Sequence, residues 1–301
     1  FGLRCGSSRA KSASSLRSNP FLALMLNLLF PWDLFFAFQL ERFKLVLREA
    51  LPAWLDAWHE LEALSALANY TALHPQAAFP VFLEGETGPV FAAQGIGHPL
   101  IPAAQRVSND FRLERLGEVI IITGSNMSGK STFLRTLGVN LVMAYAGGPA
   151  EAARLETIPF RIFTSMTLSD SLSDGISFFY AEVRRLKTLL DQLESGHPFP
   201  LFFLIDEIFR GTNNRERRQG SRAYTQALAG RRGAGFIATH DLELAHLAET
   251  SPLIRNFHFR EDIRGSEMIF DYTIRPGPSP TTNALRIMAL AGLPTAPAPE
   301  V

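Results

Sequence analysis

The sequence predicts an α/β fold: a mostly parallel sheet flanked by helices, preceded by a small helical N-terminal subdomain. Three observations predict it. Short, largely apolar runs at residues 119–123, 200–205 and 235–239 are too short for helices and have the texture of strands buried on both faces. Helical stretches separate them, including residues 131–146, closed by Gly147, Gly148 and Pro149. Upstream, residues 33–70 carry leucine and alanine at helical spacing with charges between them.

The remaining elements follow in order. Residues 1–19 are serine-rich with scattered basic residues and are expected to be disordered or a remnant segment. Residues 20–38 are the most apolar stretch and suggest a buried helix pair broken at Pro31, with membrane contact as a minor alternative. Pro31, Asn27 and Asp33 weaken a spanning helix. Prolines and glycines from His74 onward place a boundary near residue 76, so that 20–75 form a helical subdomain and 76–301 the main domain. Phe179, Val183, Leu186, Leu190 and Leu193 form one stripe of an amphipathic helix. Residues 257–259 and 268–274 read as paired strands around a turn at Arg264 and Gly265, and 282–291 as a closing helix.

Composition bounds the function. The 301 residues hold 29 Lys plus Arg and 29 Asp plus Glu, so no global basic field draws the chain to nucleic acid. Cys5 is the single cysteine, which forbids an internal disulfide and suits a reducing, cytoplasmic compartment.

The chemistry concentrates at three strand ends. The stretch "TGSNMSGKST" satisfies G-x-x-x-x-G-K-[ST] through Gly124, Gly129, Lys130 and Ser131. A polyphosphate needs a concave set of backbone N–H donors, and Gly124, Ser125, Asn126, Met127, Ser128, Gly129 and Thr132 would complete that cradle. The helix that begins near Lys130 directs its positive end at the anion, Lys130 reaches the outer phosphates, and Ser131 offers a Mg²⁺ ligand. The second strand ends in Asp206 and Glu207: one carboxylate for the Mg²⁺ shell, one to activate water. The third ends at Thr239 and His240, where the imidazole can bond the phosphate or the attacking water. His59, His74, His197, His246 and His258 lack such a context and are read as structural.

Together these residues resemble the MutS family of DNA mismatch-repair ATPases. The loop matches the family's TGxNMxGKST. Asp206, Glu207, Arg210, Gly211 and Thr212 match its DE-x-x-R-G-T, and Ala238, Thr239 and His240 its A-T-H. "GHPLI", "SNDF" and "IFDYTIRPGPSPTTNALRIMALAGLP" are similar to the entry and exit of the family's ATPase domain, so the likeness covers residues 79–295. It implies an ATP-binding-cassette type of P-loop NTPase, with ATP and Mg²⁺ as cofactors. Asn126 would help place the water, and Ser177, in "SDSLSDGISFFYAEV", would reach the γ-phosphate of a partner in a homodimer. Tyr272 would stack on adenine where the family often has histidine, and Arg106 or Val107 stands where it often has phenylalanine. DNA is the partner the resemblance implies. The family's mismatch-reading domain has no counterpart in these residues, which leaves room for an ATPase that handles branched DNA, or for an ATP-gated interaction module without DNA contact. A transporter subunit is disfavoured, because no LSGGQ signature occurs.

Overall fold

The computed structural model describes residues 21, 24–25, 28, 31–85, 88–125, 127–166, 178–209, 212–264 and 267–279. Asn126, Arg210, Gly211, Ser177 and the expected closing helix at 282–291 lie outside them. The chain divides into two compact units, Phe1–Ala66 and Leu67–Val301.

Most of the first unit's described residues belong to α1 (Trp32–Leu73), which starts directly after Pro31 and runs through Pro52. The expectation of a buried helix pair is corrected here. Leu34, Phe35, Phe36 and Phe38 are exposed, as are Trp54 and Trp58 further along. The apolar residues of α1 point to all sides, and among the described residues of this unit nothing encloses them. No helix among the described residues is long and apolar enough to cross a membrane.

The second unit is mixed α/β, built on a six-stranded sheet. In chain order it has β1 (Val81–Phe82), β2 (Phe91–Ile96), β3 (Asn109–Leu113), β4 (Val119–Thr123), α2 (Lys130–Tyr145), β5 (Arg154–Thr157), β6 (Arg161–Ser165) and α3 (Phe178–Glu194). Then come β7 (Leu201–Asp206), α4 (Asn214–Leu228), β8 (Gly233–Ala238), a 3₁₀ turn (Leu242–His246), α5 (Leu247–Thr250), β9 (Ile254–Arg264) and β10 (Glu267–Pro276). The large sheet has the order β10-β9-β4-β8-β7-β6, and the smaller one β1-β5-β2-β3. Every pairing in the large sheet is parallel except the β9–β10 hairpin.

The alternation of side chains across the large sheet builds two cores. Ile120, Ile122, Phe202, Leu204 and Phe236 face one side and pack with Phe133, Leu134, Leu137 and Leu141 of α2 and with Phe91 and Phe111 of the small sheet. Val119, Ile121, Phe203, Ile205 and Ile237 face the other, against Leu186, Leu189 and Leu193 of α3 and Tyr224 and Leu228 of α4. The strands are therefore apolar on both faces, which is why their sequences show no alternation. The α3 stripe holds at Leu186 and Leu193 and shifts elsewhere: Leu189 is fully buried with Leu190 at the margin, and Glu182 is buried while Phe179 and Val183 are half-buried.

Gly235 lets β7 and β8 come together. A Cβ there would lie 2.0 Å from the Phe203 carbonyl oxygen.

Candidate nucleotide site

Three parallel strands end in one row. In the β4–β8–β7 register, Ile122 lies beside Ala238 and Ala238 beside Asp206. The residues that follow each strand therefore emerge together at the carboxyl edge, where open α/β sheets bind ligands. They are the 124–129 loop, Glu207, and Thr239 with His240.

The loop is shaped by its glycines. Gly124 has φ 145°, and a Cβ would meet Ser128 Oγ at 2.8 Å and the Phe259 carbonyl at 2.9 Å. Gly129, at φ 109°, forms the N-cap of α2 and gives it no side-chain hydrogen bond. The first-turn N–H groups of α2 thus lack a side-chain cap, an arrangement suited to an anion. Ser128 donates to the Ser125 carbonyl at 2.9 Å, and exposed Met127 takes φ 70° to complete the curl. Ser125 donates to Glu261 at 2.6 Å, a buried carboxylate on β9.

Lys130 is buried and folds back onto this loop. Its ammonium donates to the carbonyls of Gly124 and Ser125, each at 2.6 Å. Burial lowers its pKa from the ordinary lysine value, outweighing the opposing pull of Glu207, Asp206 and Glu261. A desolvated ammonium aimed along the loop fits a polyphosphate, which would offer it a stronger partner than two carbonyls.

On the next strands, Asp206 is buried at the end of β7. Glu207 turns out of the sheet at φ 62° while its N–H still bonds the Ala238 carbonyl at 2.9 Å. Left-handed backbone at a glutamate is strained, and such strain concentrates at functional sites. His240 Nδ1 lies 2.9 Å from Glu207 Oε1. Behind them, Phe209, also at positive φ, donates its N–H to buried Glu182 at 2.6 Å.

These groups line a cleft of about 680 Å³, within the range of small-ligand sites. Gly129, Lys130, Ser131, Thr132, Asp206 and Glu207 form its polar end, and His98, Leu100, Ile101, Pro102 and Val107 the opposite wall, with Tyr272 and Phe259 beside them. The structure thus brings Lys130, Ser131, Thr132, Asp206, Glu207 and Tyr272 to one cavity. His240 joins it through Glu207. The hydroxyl of Ser131 and the carboxylate of Asp206 are oxygen donors, as Mg²⁺ requires.

Sequence reading missed four contributors. Asn109 donates to the Tyr272 carbonyl at 3.0 Å and accepts from the Ile274 N–H at 2.8 Å. It thereby pins the β10 irregularity in which Tyr272 sits at φ 53°. Glu261 is the second. His98 on the wall is the third, its pKa lowered by burial and then by Arg135. Glu151 is the fourth. It pairs with Arg106 at 2.6 Å, and Val107 rather than Arg106 lines the cleft.

Fold and cleft together define an α/β protein with a glycine-shaped loop and an acidic pair at the carboxyl edge of a mostly parallel sheet. Residues 120–298 match the family model described as MutS domain V. The chain belongs to the MutS family. It is similar to the DNA mismatch repair protein MutS of Natronomonas pharaonis, with 31% identity over 267 residues. That likeness covers 85% of this chain and 30% of the relative.

Proposed function

We propose that this chain is the ATP-binding and ATP-hydrolysing part of a MutS-family protein, of the P-loop, ATP-binding-cassette type, that acts on DNA in mismatch repair or related genome maintenance. The observation that carries the reading is the row of strand ends that brings the glycine loop, Lys130, Asp206 and Glu207 to one cleft, with His240 bonded to Glu207. The loop amides and Lys130 hold the phosphates. Ser131 and Asp206 would hold Mg²⁺, which when bound neutralises charge building on the phosphates. Glu207 orients and deprotonates the attacking water, and His240 fixes the Glu207 carboxylate. Tyr272 faces the base. In the same reading Asn126 helps place the water, and Ser177 of a second copy completes the site in a homodimer that closes on ATP and opens on hydrolysis. The cytoplasm, where ATP and DNA meet, is the compartment this requires.

The test is calorimetric titration of the protein with ATP, with and without Mg²⁺, followed by DNA binding of ATP-loaded Glu207→Gln at two salt concentrations. A perfect duplex, a single-mismatch duplex and a four-way junction serve as probes. Saturable Mg²⁺-dependent ATP binding supports the nucleotide site, and its absence removes it. Preference for the mismatch supports a repair role, and preference for the junction a branched-DNA role. No salt-dependent binding to any of the three removes DNA from the reading.

A further inference from the structure

The cleft wall opposite the phosphate loop, residues 97–108, belongs to no helix or strand apart from turns. Its own backbone supplies two turn bonds, Ile101 N–H to His98 at 3.1 Å and Gln105 N–H to Pro102 at 2.9 Å. Arg106 adds side-chain anchorage from within the segment. One guanidinium nitrogen donates to Glu151 at 2.6 Å, and another reaches the Ile101 carbonyl at 3.5 Å. The side chain lies across Gly97, where a Cβ would sit 2.5 Å from Arg106 Cδ.

Glu151 is a buried hub. One carboxylate oxygen takes Arg106, and the other accepts Tyr70 OH at 3.0 Å and contacts His74 Nδ1 at 2.7 Å. Its backbone N–H donates to Asn140 Oδ1 of α2 at 2.6 Å, and its carbonyl accepts from Gly97 N–H at 2.8 Å. Asn140 closes the circuit by donating to the Gly97 carbonyl at 3.0 Å. The hub thus holds the start of the wall to the helix that rises from the phosphate loop. Burial, and then the hydrogen bond to Glu151, push the Tyr70 pKa up to about 12. A buried carboxylate so fully engaged is costly to disturb, which makes its geometry well defined.

We infer that Arg106 and Glu151 are positioning residues for the nucleoside half of the ligand. They fix an apolar wall, Leu100, Ile101, Pro102 and Val107, against which a planar heteroaromatic base is held beside Tyr272, while the phosphates are gripped independently by Lys130. The inference rests on the reading of the cleft as an ATP site. Loosening the wall therefore weakens ATP and leaves a bare polyphosphate untouched, because a disordered wall must be ordered at the expense of binding.

The test compares ATP with inorganic tripolyphosphate, both with Mg²⁺, by calorimetry on the full chain and on Arg106→Met, Gly97→Ala and Arg106→Lys. Circular dichroism melts confirm that each variant is folded. Arg106→Met and Gly97→Ala are expected to lose about tenfold in ATP affinity, which is about 1.4 kcal/mol, with tripolyphosphate affinity unchanged. Arg106→Lys should recover part of the loss. Parallel loss of both ligands, or no loss of either, overturns the inference while leaving the ATP site standing. Wild-type protein that binds neither ligand removes the ATP reading, and this inference with it.

Discussion

Replacing Lys130 with methionine should change the stability of the protein little and its ATP affinity greatly. In the free protein the ammonium is buried and donates to the carbonyls of Gly124 and Ser125 at 2.6 Å each. Burial is nevertheless the largest influence on its pKa, which falls below the ordinary lysine value. A folded-state pKa below the unfolded value means that the charged lysine opposes folding at neutral pH. Methionine removes that opposition but leaves two carbonyls without their donor, at about 1–3 kcal/mol each if no water replaces it. The two effects offset one another. The net change should stay within about 2 kcal/mol, a melting shift of a few degrees for a unit of this size. Toward ATP there is no such offset. A charge-assisted contact to phosphate is worth about 1.5–3 kcal/mol, so affinity should fall roughly 10- to 100-fold. Differential scanning fluorimetry reads the first quantity and calorimetry the second. A variant that binds ATP as tightly as the wild type, yet melts far lower, would refute the assignment of Lys130 as a phosphate ligand held under desolvation.

Two further outcomes are expected. ATP affinity should be fully present at neutral pH and decline as pH rises through the lowered Lys130 pKa, because the phosphates need the ammonium and raise its pKa on binding. A titration series should show that decline beginning below the ordinary lysine range and absent in Lys130→Met; affinity that stays flat to that range would contradict it. Gly235→Ala places a methyl 2.0 Å from the Phe203 carbonyl on a strand paired on both sides, so urea denaturation should show a loss above about 3 kcal/mol. A loss below about 1 kcal/mol would mean that β7 and β8 yield more easily than their packing implies.

The site was legible where its chemistry is local. A strand end, a glycine loop and a helix start occupy ten consecutive residues, and each demands particular residue types. The β4, β7 and β8 strands were legible because burial on both faces leaves an unbroken apolar run. What escaped is the second ring of contacts. Arg106 and Glu151 lie 45 residues apart, Ser125 and Glu261 136, and Asn109 and Tyr272 163. Such pairs form only after the sheets are assembled, and nothing in the local pattern of an arginine or glutamate announces a distant partner. Arg106 shows the consequence. From sequence either Arg106 or Val107 stands where the resemblance implies an aromatic residue, and the ion pair of Arg106 with Glu151 was not foreseen. The helix over residues 33–70 was legible from its spacing. Burial of the 20–38 stretch was not borne out: its apolar content suggested a core, yet Leu34, Phe35, Phe36 and Phe38 stand exposed.

The most direct test of the central claim is phosphate release from ATP by the wild-type chain and by Glu207→Gln, measured with Mg²⁺ at protein concentrations high enough to favour pairing of chains. Glu207 is the carboxylate that the fold turns into the cleft at φ 62° and that His240 holds at 2.9 Å. The account predicts Mg²⁺-dependent release by the wild type and a loss of about 10²- to 10⁴-fold in the variant, with ATP binding retained. Equal turnover in the two proteins, or loss of ATP binding together with turnover, would contradict it.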